Sequence, residues 1–97
     1  MTVTATEIKN RISPDHYYSR HLKGHFGRHT GHNWYHWNGL CPFHPDRKPG
    51  SFVVNRESGA FKCFACGAQG GDILSFHMQA SQLSFRQALR HLQEVYP

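Results

Sequence analysis

Acidic residues are scarce in this sequence: 6 Asp and Glu stand against 11 Lys and Arg in 97 residues, a formal charge of +5. Asp46 reads as a turn residue and Asp72 as a helix cap. That leaves no dense set of carboxylates of the kind a Mg²⁺-dependent polymerase centre needs. There are only 3 cysteines, which excludes a disulfide framework and predicts a reducing, intracellular, cytoplasmic setting. Met1-Thr2-Val3-Thr4 lacks the basic start and apolar core of a signal peptide. No apolar run approaches the length of a membrane span, so no membrane partner is expected. A Gly-rich phosphate loop ending in Lys-Ser or Lys-Thr is missing as well, and no internal repeat or low-complexity tract is visible. Catalysis by this chain alone is therefore not expected.

What is present suits one small folded domain. Hydrophobic residues make up 38% and aromatics 13%, too many for a disordered tail. A chain of 97 residues cannot bury a large core, so a metal cross-link is an expected aid to stability. The basic excess is uneven. Residues 1–40 carry five Lys/Arg against two acids, residues 41–70 four against two, and residues 71–97 two of each. Zinc bound by three thiolates lowers the charge to about +4. Basic charge lying in and before the cysteine region fits a nucleic-acid face, although ordinary solubility charge reads the same way.

The three cysteines fall in two pairs with one histidine. Cys41-Pro42-Phe43-His44 and Cys63-Phe64-Ala65-Cys66 are separated by eighteen residues. A pair of ligands with two residues between them wraps one edge of a tetrahedral ion, and two pairs brought together by a hairpin complete a closed Zn²⁺ shell. A lone Cys-x-x-Cys can also be a redox dithiol, but the second pair at this distance makes a structural zinc the better account. Cys41, His44, Cys63 and Cys66 are thus the predicted ligands of one structural zinc. With four protein ligands the site is closed and chemically silent.

Around this centre the pattern predicts a small α+β fold: a zinc ribbon flanked by short N-terminal helices and two C-terminal helices. Thr4-x-x-Glu7 opens a short helix with Ile8 and Ile12 on one face, and Ser13-Pro14 opens a second carrying Tyr17, Tyr18 and Leu22. Helices this short are expected to hold by docking on the ribbon. His21, His25, His29, His32 and His36 recur every three or four residues, but Gly24, Gly27 and Gly31 argue against a helix. Residues 24–33 are read as a loop, and its histidines as solvated or phosphate-facing rather than a second metal site. Asn33 to Leu40, Ser51 to Asn55 and Ala60 to Cys63 read as strands, the last two joined by a turn at residues 56–59. Asp72 caps a helix, and Ser84-x-x-Gln87 opens another whose stripe of Phe85, Ala88, Leu89, Leu92 and Val95 is expected to face the core. The resulting division is 1–22 helical, 23–33 a His/Gly-rich loop, 34–71 the ribbon and 72–97 helical.

The same residues carry a resemblance. Cys-Pro-Phe-His, then Asp46-Arg47-Lys48-Pro49, Ser51-Phe52, Phe61-Lys62-Cys63-Phe64-Ala65-Cys66-Gly67 and Gly70-Gly71-Asp72-Ile73-Leu74-Ser75-Phe76 resemble the zinc-binding domain of bacterial-type DNA primases. Gly50 is an extra residue relative to that pattern, and residues 23–33 are longer and richer in His and Gly. The resemblance implies a zinc finger engaging single-stranded template DNA for primer synthesis in replication. It also implies a separate topoisomerase-primase polymerase domain, for which this chain has no room. Cys41, His44, Cys63 and Cys66 match the family's metal ligands, Arg47 a basic position after the first knuckle, and Lys62 a position that tends to be basic.

The expected DNA-contacting residues are Arg47, Lys48, Arg56 and Lys62 for phosphates, with Trp37 and Phe52 for stacking; Trp34 and Phe61 are further stacking candidates. Each of these rings can equally be core in so small a domain. Phe43 and Phe64, inside the knuckles, are expected to be core. The leading reading is a single-stranded DNA-binding module that works with a primase polymerase domain or replicative helicase. The alternatives are a protein-docking ribbon recruiting a polymerase or helicase, and a regulatory nucleic-acid-binding ribbon of a phage or mobile element.

Overall fold

The computed structural model describes residues 4–45, 47 and 49–96. Its elements run α1 (Ala5–Arg11), α2 (Pro14–His21), β1 (His25–Gly31), β2 (Trp34–Asn38), β3 (Phe52–Asn55), β4 (Phe61–Cys63), β5 (Gln69–Gly70), α3 (Ile73–Ser81) and α4 (Phe85–Val95). The strands form one antiparallel sheet in the order β1-β2-β3-β4-β5.

The caps act as their residues predict. The Thr4 and Ser13 side chains accept from the backbone N–H of Glu7 and His16, Asp72 from that of Ser75, and Ser84 and Gln87 form a reciprocal capping box. Each satisfies an otherwise orphaned helix N–H. The helices then bury one face each: Ile8 and Ile12, Tyr17 and Tyr18, Ile73, Leu74 and Phe76, and Ala88 with Leu92. α2 docks on the ribbon, where the Tyr18 hydroxyl donates to Gly59 O at 2.6 Å. α1 instead packs against α3 and α4.

The expected loop at residues 24–33 is largely a strand. β1 occupies His25–Gly31 and pairs with β2 from His25↔Asn38 to Gly31↔Trp34, with irregular register on either side of His29. Glycines that exclude a helix here serve the hairpin instead. Gly24 (φ 114°) and Gly31 (φ 146°) hold backbone angles that only glycine adopts cheaply, at the entry and end of the strand. At Gly24 an added Cβ would lie 2.2 Å from Asn38 O, so the two strands close only over a bare backbone. The histidines are accordingly scattered over the end of α2, both strands and the turn. β5, too short for a recognisable pattern, pairs Lys62↔Gln69 and Phe61↔Gly70.

Alternation along the strands gives the sheet two unlike faces. Trp37, Phe52, Val54, Phe61 and Cys63 point into a core shared with the helices. Phe76 is its hub: its ring meets those of Tyr18, Phe61, Phe43 and Tyr17 edge-on at 5.0, 5.2, 5.3 and 5.7 Å between centroids. Trp34, His36, Val53 and Lys62 lie on the other face, where no helix among the described residues lines the hollow they form. Two apolar residues depart from expectation. Phe85 is 50% exposed because it starts α4 ahead of the turn that reaches the core, and Phe64 is 67% exposed because it points away from the core-facing Cys63 beside it.

Candidate metal centre and open sheet face

Both ligand pairs sit where strands end. The first follows β2, whose Trp37 Nε1–H donates to Lys23 O at 2.9 Å and anchors the chain before Cys41. The second begins at Cys63, the last residue of β4, held opposite Phe52 by the ladder. From there the chain turns tightly: Gly67 N–H donates to Cys63 O, and Cys63 N–H to Ala68 O.

The turn and the ladder bring the Cys41, Cys63 and Cys66 Sγ atoms and one His44 ring nitrogen within 4.8 Å of one another. Sγ of Cys41 and Cys66 lie 3.9 Å apart, as do Cys63 Sγ and His44 Nδ1. A tetrahedral ion with Zn–S bonds of about 2.3 Å spaces its sulfurs by about 3.8 Å. The four residues therefore form a Cys₃His cluster able to coordinate a structural Zn²⁺. Its chemistry favours a dication. Burial, foremost, pushes the Cys41 thiol up to about 12. Burial also acts, as the largest single cause, to raise Cys63, but the backbone N–H groups of Cys66 and Ala65 together with the Cys41 and Cys66 thiols hold that thiol below its ordinary value. A bound Zn²⁺ lets the thiols ionise together. Phe43 N–H, 3.4 Å from Cys41 Sγ, points a further donor at the charge. Among the described residues this is the one group of His, Cys, Asp and Glu side chains that could hold a metal.

The expected DNA contacts separate into several environments. Lys62 is exposed on the open face, its Nζ 5.2 Å from the Phe64 ring centroid. Arg47 is exposed just past His44, and Lys48 lies outside the described residues. Trp37 and Phe52 have no exposed surface, and Phe61 has 1%; alternation turns all three inward, so none offers a ring to a base. Arg56 is at the far end of β3 from the knuckles. Its Nε donates to Asp15 Oδ1 at 2.8 Å, and a second bond joins its terminal nitrogen to Asp15 Oδ2. The guanidinium also lies over the Phe26 and Tyr35 rings, at 4.6 and 5.0 Å. It fastens α2 to the β1–β2 hairpin.

The open face instead carries Trp34, His36 and Phe64. With Thr30, Val53 and Lys62 they line a hollow of about 380 Å³. A second hollow of about 520 Å³, bounded by Trp34, Ala60, Phe61, Lys62, Gln69, Gly70 and Gly71, adjoins it. Among the described residues no acidic side chain lines either one. Two-residue periodicity carries this signal: a Cys63 committed to the metal forces Lys62 and Phe64 outward, and a buried Trp37 sends His36 the other way.

Residues 27–97 match the family model described as CHC2 zinc finger. DNA primase of Clostridium acetobutylicum is 40% identical over 63 residues, covering 65% of this chain and 10% of that protein. DNA primase of Deinococcus radiodurans is 50% identical over 54 residues, covering 56% and 9%. The chain thus spans about a tenth of the length of these relatives. A crystal structure of Aquifex aeolicus primase, containing zinc-binding and RNA polymerase domains, superposes with a TM-score of 0.69 at 31% identity, covering 99% of this chain and 22% of that one. No helix among the described residues is long and apolar enough to cross a membrane. With its Cys₃His cluster at the knuckles of a five-stranded sheet, the chain belongs to the CHC2 zinc-finger family and is homologous to the zinc ribbons of bacterial DNA primases.

Proposed function

We propose that this chain binds single-stranded DNA on its open sheet face and serves primer synthesis by engaging the template for a polymerase domain or replicative helicase carried elsewhere. The observation that carries the reading is the grouping of Trp34, His36, Lys62 and Phe64 on one sheet face whose hollows, among the described residues, have no acidic lining. Aromatic faces stack on unpaired bases, which a duplex keeps hidden, while basic groups meet the phosphates. The cluster's part is architectural. Zinc held through Cys63 locks the end of β4, and that fixes the direction of Lys62 and Phe64 on either side of it. Four protein ligands leave no open position for substrate.

A fluorescence-anisotropy titration of the zinc-loaded chain with short single-stranded DNA over a salt series tests this. Three or four phosphate contacts predict a slope of log affinity against log salt of about −2 to −3. Lys62→Ala and Arg47→Ala should each lower both affinity and slope, and a duplex of equal length should bind more weakly. Absence of binding at low salt would defeat the proposal. A second reading rests on Phe85, half-exposed at the start of α4 beside the exposed Arg86: a protein surface of a polymerase or helicase docks there. Loss of partner capture in Phe85→Ala, with DNA affinity unchanged, would favour it.

A further inference from the structure

We propose that His91 is a proton sensor for the helical layer and reports through His77 to the Tyr17 hydroxyl. When His91 takes up a proton, both hydrogen bonds of this thread reverse direction and Tyr17 loses its acceptor. The device lies among α2, α3 and α4, on the core side of the sheet, and is independent of the single-strand reading above.

Three side chains from three helices build the thread. Tyr17 on α2 is fully buried, His77 on α3 is 2% exposed, and His91 on α4 faces solvent. His77 Nδ1 meets the Tyr17 hydroxyl at 2.7 Å, and His77 Nε2 meets His91 Nδ1 at 2.7 Å. The three side chains make no other hydrogen bond among the described residues. Each contact holds one hydrogen, so a neutral thread has two arrangements. In the first, Tyr17 O–H donates to His77 Nδ1, and His77 Nε2–H donates to His91 Nδ1. In the second, His91 Nδ1–H donates to His77 Nε2, and His77 Nδ1–H donates to the Tyr17 oxygen. The phenolic hydrogen is then buried without an acceptor. Leaving a buried donor unpaired is costly, so the first arrangement holds while His91 is neutral.

Protonation of His91 excludes that arrangement. Both nitrogens of an imidazolium carry hydrogen, and two N–H groups cannot face each other across 2.7 Å. The thread therefore takes up one proton from solvent, and His77 changes tautomer without changing charge. Burial, followed by His91 and His21, lowers the His77 pKa to about 4 and keeps that ring neutral. Around this end of α4, α2 presents His16, Arg20 and His21, and α3 presents His77. α1 brings Arg11, while its Lys9 is paired with Asp72; α4 itself carries Arg90 and Glu94. The reversal acts on the seat of α2. Tyr17 also packs on His21 and Phe76, whereas the Tyr18 bond to Gly59 and the Asp15 pair with Arg56 hold the ribbon side of the helix.

Long-range proton–nitrogen correlation spectra of the zinc-loaded 97-residue chain, recorded from about pH 8 to about pH 5.5, test this. His77 should carry its hydrogen on Nε2 at the alkaline end and on Nδ1 at the acid end, and the exchange should follow the titration of the His91 ring. His91→Gln, whose amide oxygen accepts from His77 at every pH, should hold His77 in the Nε2–H form throughout. Tyr17→Phe should give mixed forms at the alkaline end, since no hydroxyl then sets the direction. Hydrogen-exchange protection of α2, corrected for the intrinsic rate, should fall roughly fivefold on acidification, the equilibrium factor of one hydrogen bond, and stay level in His91→Gln. A His77 that keeps one tautomer through the His91 titration, or becomes an imidazolium with it, overturns the sensor. Protection that does not fall, or falls equally in His91→Gln, overturns its coupling to α2.

Discussion

The Tyr17 hydroxyl lies 2.7 Å from His77 Nδ1 inside the core, although 60 residues separate the two along the chain. The other ring nitrogen of His77 is 2.7 Å from His91 Nδ1. This polar thread ties α2, α3 and α4 together beside Phe76. A neutral imidazole satisfies both contacts by donating at one nitrogen and accepting at the other.

His77 should therefore stay neutral under mild acid. Burial, first, and then the neighbouring His91 and His21, lower its pKa to about 4 from the ordinary imidazole value of 6.5. Tyr17 and His21 from α2 and His91 from α4 are the titratable groups that contact it. Between those two values the unfolded chain binds a proton that the folded chain refuses, so stability falls as pH drops from about 6.5 towards 4. Imidazole nitrogen shifts recorded near pH 5.5 should report a neutral His77; a protonated ring there would contradict the burial argument.

Zinc removal should cost the fold. Binding to a structural site of this kind contributes roughly 10 kcal/mol or more at neutral pH, and that energy is folding energy. Chelation, or Cys63→Ser at the end of β4, should abolish near-ultraviolet circular dichroism. Re-addition of zinc should restore it in the chelated chain and not in the variant.

Two phenylalanines nine residues apart should behave oppositely. Phe76, 2% exposed and in ring contact with Tyr17, Tyr18, Phe43, Phe52 and Phe61, should lose about 3–5 kcal/mol on truncation to alanine. Phe85, 50% exposed, should lose at most about 0.5 kcal/mol. Urea denaturation of the zinc-loaded variants measures both.

Arg56 and Lys62 separate structure from binding. The Arg56 pair with Asp15 joins two partly exposed side chains, so Arg56→Ala should cost only about 1 kcal/mol and leave DNA affinity within about twofold. Lys62→Ala should barely change stability, yet weaken binding and reduce the salt slope by about 0.7. Equal losses of affinity in the two variants would return Arg56 to the DNA-binding face.

Local chemistry made much of this legible beforehand. Side-chain caps such as Thr4, Ser13, Asp72 and Ser84 act on amides three residues away, so the helix starts could be read directly. The ligand set Cys41, His44, Cys63 and Cys66 was readable because two tight pairs across a hairpin have few other uses. The β1 strand was not. Gly24, Gly27 and Gly31 look alike whether they sit in a loop or serve a strand entry, an irregular register and a turn; only pairing with β2 distinguishes these.

The sequence by itself determined the helices, the strands β2 to β4, the candidate metal ligands and the family resemblance, because each rests on contacts a few residues long or on a fixed spacing. Tertiary structure alone decided which aromatic faced which way. A ring's merit as a stacking surface depends on the side of the sheet it occupies, and that side is set by register against neighbouring strands and by the helices that cover one face. Packing thus took Trp37 and Phe52 into the core and bound Arg56 to Asp15. It left Trp34, His36, Lys62 and Phe64 on the open face.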